Sequence, residues 1–185
     1  MTTKEALRAA EHWTWEEGAT VITPFELQSQ YLDDVWRYVS ARLDSREDAE
    51  DVTMDVMASA FKRINDGAKV EKPRLWLLGI ARRRVADMLR RKYRRREVPL
   101  EGLDAAVEPG NLERHSLNSV LDELSDDHSQ ALVLKYVNGL STEEIAVVME
   151  RTRDAANSLL QRAREAFRKA GSEAFPDLAG VEEER

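Results

Sequence analysis

PRLWLLGIARRRVADMLRRKYRRR, residues 73 to 96, is the stretch on which the fold of this chain turns. Trp76, Leu77, Ile80, Ala81, Val85, Met88 and Leu89 recur at spacings of three and four, the period of a helix with one apolar face, and Pro73 suits its first turn. From Arg74 to Arg96 there are ten Lys or Arg against the single acid Asp87, a local charge of +9. Like charges one helical turn apart repel and weaken an isolated helix. An excess of this size exceeds what solubility requires and asks for a polyanion. Nucleic acid is favoured over an acidic membrane surface, because the helix's apolar face is claimed by a domain core.

The whole chain is nevertheless acidic, with a net charge of -7 over 185 residues, so the positive helix sits on a strongly negative body. That distribution grips a polyanion at one place and repels it elsewhere, favouring directed binding. Cysteine is absent, which removes disulfides, thiolate nucleophiles and zinc fingers, and His12, His115 and His128 are scattered, so no metal is expected. The opening MTTKEALRAAEHWTWEEG has no signal-peptide core and no stretch reads as a membrane span; a cytoplasmic protein without membrane insertion is expected.

Upstream of the basic helix, Phe25, Tyr31, Leu32, Val35, Trp36, Val39 and Leu43 mark one amphipathic helix, and Ala49, Val52, Val56, Ala60, Phe61 and Ile64 a second. Ser45 with Asp48 resembles a capping box at the start of the second. Residues 24–96 thus form a first helical domain behind an N-terminal extension, 1–23. Residues 97–115 read as an extended acidic linker with two prolines and two glycines. Residues 116–170 form a second helical domain, and 171–185 an acidic tail. The fold class is all-α: two small helical domains joined by the linker, the second containing a helix-turn-helix.

The signals for that motif are a stop at Asn138-Gly139, a capping box at Ser141 and Glu144, a turn near Glu150 to Thr152, and a helix from Arg153 to Ala170. Ala156, Leu159, Leu160, Ala163 and Phe167 share one stripe of the last helix, which turns Asn157, Ser158, Gln161 and Arg162 outward. Arg162 suits guanine and Gln161 or Asn157 adenine, while Arg153 and Arg168 near the helix ends are better placed for phosphates. In the second amphipathic helix, Glu47, Asp48, Glu50, Asp51 and Asp55 exceed what helix capping needs and suit a basic partner.

Three stretches also carry a resemblance. Ala49-Glu50-Asp51-Val52 with Asp55, then P-R-x-W-L-x-x-I-A-R from Pro73 to Arg82, then LDELS at 121–125, ALVLKYVNGLSTEEIA at 131–146 and QRAR at 161–164, are similar to bacterial sigma factors of the extracytoplasmic-function type. Met54 stands where glutamine is usual, Arg83 where the pattern has asparagine, Glu150 where a turn glycine is frequent, and Ala155-Ala156 where Thr-Val is common.

The resemblance implies that Asp48, Glu50, Asp51, Met54 and Asp55 hold the clamp of core RNA polymerase. The second domain would meet the flap, with the linker's acids running through a basic channel between the two. It implies that Arg74, Trp76, Arg82, Arg83, Arg84, Arg90, Arg91, Lys92, Arg94 and Arg95 serve the minus-ten element, and the loop from Asn65 to Lys72 a flipped base. Trp76 reads as core before it reads as a stacking surface. With Tyr93 the only other aromatic of the basic helix, the protein is expected to demand a good promoter sequence. Thr152, Arg153, Asn157, Ser158, Gln161, Arg162 and Arg168 would serve the minus-thirty-five element. An anti-sigma factor is an implied partner, and no cofactor is implied.

Two other readings remain. A stand-alone helix-turn-helix regulator would bind DNA without polymerase and would not need the acidic helix. A metal-dependent nuclease using Asp48, Asp51 and Asp55 lacks supporting histidine or a phosphate-cradling loop, so no catalytic residues are assigned.

Overall fold

The computed structural model describes residues 22–96 and 119–174, the side chains at positions 93, 95, 96 and 172–174 excepted. The expected extension, linker and tail fall almost wholly outside these residues. Every regular element described is helical: α1 Pro24–Ser40, α2 Arg46–Asn65, α3 Pro73–Arg96, α4 Asp126–Tyr136, α5 Thr142–Val148 and α6 Arg153–Ala174, with a short helical turn at 119–123 ahead of α4.

Local chemistry fixes the helix starts. Thr23 caps α1 in a reciprocal box with Glu26, and Pro24 follows at the first helical position. The Glu26 carboxylate accepts from the Thr23 amide and hydroxyl, which holds its pKa below the usual carboxylate range. Ser45 accepts from the Asp48 amide at 3.2 Å, the forward half of the expected box. Ser125 caps α4, and Ser141 with Glu144 forms the full box opening α5, as read from the sequence. Gly139 adopts φ +68° between α4 and α5, where the Asn-Gly stop was expected.

Helices α1, α2 and α3 pack together around Leu27, Val35, Tyr38, Val56, Leu77 and Leu78, all fully buried. Each large apolar side chain removed from water contributes about 1.5–3 kcal/mol before chain entropy is counted. The second group packs α6 on α4 and α5 around Leu134, Leu140, Ile145 and Leu160. Ser129 ties the preceding turn to α4, its hydroxyl donating to the Leu121 carbonyl at 2.6 Å.

The two groups are not separate bodies: α3 packs against α5, and one apolar cluster runs through both. Leu75, Leu77, Leu78, Ile80 and Ala81 are all buried, more of the circumference than a single-faced helix hides. Two expectations are corrected by this packing. The arginines do not all ring an outer face: Arg74 and Arg82 turn into the seam with the second group. Phe25, placed on the inner stripe of α1, is 78% exposed, because Leu27 takes the core position one register over.

Candidate nucleic-acid and polymerase interfaces

The face of α6 behaves as its periodicity requires. Ala156, Leu159, Leu160 and Ala163 are buried, Phe167 packs against them, and Asn157, Ser158, Gln161, Arg162 and Arg168 are exposed in a row. Thr152 caps α6, its hydroxyl accepting from the Ala155 amide at 3.2 Å, so its side chain is committed to the helix start. Arg153 pairs with Glu143 of α5 at 2.6 Å across the turn of the motif, and that cation helps hold the Glu143 pKa low, after a backbone hydrogen bond. Arg164 reaches back to α4, donating to the Tyr136 hydroxyl at 2.8 Å, which braces α6 from behind.

The cations of α3 divide into two sets. Arg84, Arg90, Arg91 and Arg94 are exposed; Arg84 donates to the Ser59 hydroxyl and Arg90 pairs with Asp87 at 3.2 Å. Lys92 is half-buried, Trp76 packs partly buried against the core, and the side chain of Arg95, like that of Tyr93, lies outside the described ones. Arg74, Arg82 and Arg83 instead meet protein. Arg74 grips Asp34 of α1 and donates to the Asn138 carbonyl at 2.6 Å, and the Asp34 hydrogen bonds raise its pKa further. Arg82 lies 3.3 Å from the Gln130 amide oxygen and 3.9 Å from the Glu150 carboxylate, to which Arg83 is ion-paired.

Between α2 and α3 lies a groove of about 400 Å³ lined by Lys62, Arg63, Arg83 and Arg84, with Asp66 and Asp87 at its edge. Lys62 and Arg63, in the last turn of α2, are not singled out by the sequence reading. They add to the positive surface beside the loop from Asn65 to Lys72.

On α2, Glu50, Asp51, Met54 and Asp55 are exposed and Asp48 is half-buried beside the cap. Glu50 pairs with Arg46 one turn away at 2.8 Å. Of these acids Glu50 reaches a groove of about 610 Å³ between α1 and α2, which Asp33 of α1 and the exposed Phe25 and Met54 also line. An apolar trough with a carboxylate rim fits a basic helix carrying an apolar edge.

Family models match both groups of helices. The model for Sigma-70 region 2 matches residues 27–95, and the model for Sigma-70, region 4, matches residues 114–167. The chain belongs to the sigma-70 family, whose members are transcription initiation factors. Within that family its relatives are of the extracytoplasmic-function type. It is 33% identical to the ECF RNA polymerase sigma factor BldN of Streptomyces coelicolor over 153 residues, 74% of this chain and 56% of that one. It is 27% identical to the ECF sigma factor SigM of Bacillus subtilis, across 76% of this chain and 90% of that one. The chain thus spans little more than half of BldN and nine-tenths of SigM. Similar solved structures are CnrH in complex with the cytosolic domain of CnrY (TM-score 0.63, 20% identity, 84% of this chain and 88% of that one). A second is the sigma factor RpoE in complex with the anti-sigma factor NepR from Bartonella quintana (TM-score 0.59, 20% identity, 77% and 92%). Both share the fold.

Proposed function

We propose that this chain binds core RNA polymerase and directs it to specific promoters, and that it catalyses no reaction itself. Residues 24–96 form the unit for core polymerase and the minus-ten element, and residues 116–170 the unit for the minus-thirty-five element, joined by residues 97–115. The observation that carries this reading is the outward row on α6, where Asn157, Ser158, Gln161 and Arg162 stand exposed on a braced helix of a helix-turn-helix. A helix presented in this way enters a major groove and reads base edges with three or four side chains.

The cations of α3, with Lys62 and Arg63 across the groove, supply phosphate contacts that position the DNA without reading it. The acids and Met54 of α2 supply the polymerase contact, an arrangement that a stand-alone regulator does not need. No described helix is long and apolar enough to cross a membrane, which accords with action in the cytoplasm. The solved structures of similar fold are complexes, one of them named as being with an anti-sigma factor; this chain is assigned a partner of that class.

Run-off transcription from a promoter library with core polymerase, with and without the protein, tests the reading. Transcripts from a defined promoter set that appear only with the protein support it. DNA binding unchanged by polymerase, with no promoter-directed transcript, replaces it with the stand-alone regulator.

A further inference from the structure

Helix α1 carries two apolar stripes, and the bundle buries one of them. Leu27, Val35 and Tyr38 are fully buried, whereas Phe25, Leu32 and Trp36, also at helical spacing, line the groove between α1 and α2. Leu32 and Trp36 pack partly buried against the core, but Phe25 is 78% exposed. Met54 reaches the same groove from α2 at 65% exposure, and these two are the most exposed large hydrophobic side chains among the described residues. Thr53 lines the groove as well; it is 4% exposed, and its hydroxyl has no hydrogen-bond partner among the described residues. The carboxylates of the lining, Asp33 and Glu50, are exposed, and each pairs with an arginine one turn along its own helix, Arg37 at 3.2 Å and Arg46 at 2.8 Å.

We propose that Phe25 and Met54 are the apolar anchor of the polymerase contact, and that they select a docking helix on core polymerase with an apolar side chain set among its cations. The inference rests on the reading of α2 as the polymerase-binding helix. It adds Phe25, which lies outside the stretches that carry the family resemblance and ahead of the residues matched by the region 2 model. Interfaces gather aromatic side chains and methionine at their centre and leave charge to the rim, which is the arrangement of this groove. A cation on the occupant can replace Arg37 or Arg46, because exposed ion pairs of that kind are weak and exchange readily. The acids therefore give the contact its sign, and the anchor gives it strength of another kind. Burial of apolar surface is not screened, so the anchored contact persists at ionic strengths that silence exposed charges. Met54 deepens the difference: the glutamine usual there can trade hydrogen bonds with a polar partner, whereas a thioether requires an apolar one.

Absence of native cysteine allows clean labelling of the full chain at Glu165→Cys, an exposed position on α6, for titration with core polymerase at low and high salt. Phe25→Ser and Met54→Gln are each expected to lower affinity by about fivefold or more, and by similar factors at both salts. Combined, they are expected to lose less than the product of the single losses, because the two side chains share one apolar counterpart. The amide variant of Glu50, Asp51 and Asp55 is expected to lose affinity chiefly at low salt, a contrast that a merely structural phenylalanine would not show. Parent-like affinity of Phe25→Ser at both salts, with the amide variant weakened, overturns the proposal and leaves the polymerase reading standing. Parent-like affinity of both variants removes the reading and the proposal together. Sedimentation of the free chain tests the other occupant: self-association that Phe25→Ser abolishes, with polymerase affinity unchanged, gives the groove to a second copy and overturns the proposal.

Discussion

Asp34 holds Arg74 with both carboxylate oxygens, one 2.9 Å from Nε and the other 2.8 Å from Nη2. The Asp34 side chain is only 13% exposed and the arginine 33%, so the pair lies between a surface ion pair and a buried one. Removing one partner leaves the other's charge half-desolvated. Asp34→Asn is therefore expected to cost about 1–2 kcal/mol, after discounting for the arginine's exposure. In thermal unfolding this is roughly 2–8 °C in Tm; a Tm unchanged within error refutes it.

Tyr38 is fully buried, and burial pushes its phenol pKa well above the ordinary value of 10.0, against the opposing pull of Arg42 and Arg82. Below pH 10 the proton is held in both folded and unfolded chains, so this residue adds no pH dependence. Above it the unfolded chain releases the proton while the folded chain keeps it, and stability falls as pH rises, by up to about 1.4 kcal/mol per unit from this group. Tyr38→Phe, which removes a hydroxyl with no hydrogen-bond partner among the described residues, is expected to be near neutral at pH 7 and to flatten the alkaline limb. Identical alkaline limbs in the two proteins would show that Tyr38 ionises freely.

On the minus-thirty-five element, Arg162→Ala is expected to relax selectivity at one or two adjacent base pairs, with roughly 1–3 kcal/mol of discrimination lost there. Arg168→Ala, nearer the helix end, is expected to weaken binding evenly across sequences. Both are measured against every single-base change in the element. Matching profiles mean that the wrong face of α6 has been assigned to the groove.

Replacing Glu50, Asp51 and Asp55 by their amides is expected to weaken the complex with core polymerase, more at low salt than at high, since all three are exposed and screened over about 8–10 Å at physiological ionic strength. Titration of labelled protein with core enzyme at two salt concentrations reads this. Equal affinity of variant and parent at low salt removes the acids from the interface.

Lys62→Ala and Arg63→Ala are expected to lower promoter affinity similarly on many sequences, each reducing the slope of log affinity against log salt by about one unit. A loss confined to one promoter sequence points to base reading instead.

Much of this was legible in the residues. Ser141 and Glu144 announce the start of α5 because a capping box is local chemistry, satisfied by atoms three residues apart. The row on α6 was legible because a buried stripe at helical spacing leaves one face outward. The seam was not legible, since Asn138 and Asp34 are 104 residues apart in sequence. Asn138-Gly139 reads as a turn whether or not the asparagine side chain is buried, and it is 4% exposed. Arg74 and Arg82 read as free cations because periodicity says which side of α3 is apolar, not that α5 covers part of the other. Leu27 was displaced by Phe25 in the sequence reading because either fits a helical spacing, and only packing chooses.

The burial of α3 on more than one side has a consequence for how the chain comes apart. Residues 24–65 cover one part of this helix and residues 126–148 another, so the apolar cluster does not end where the first bundle ends. Loosening either partner exposes surface that the other cannot hide, and the amide protons of α3 report both events. With the seam closed at low salt, the described residues are expected to melt as one cooperative unit; with the seam screened, α4 to α6 become a separate foldon that exchanges its amides first.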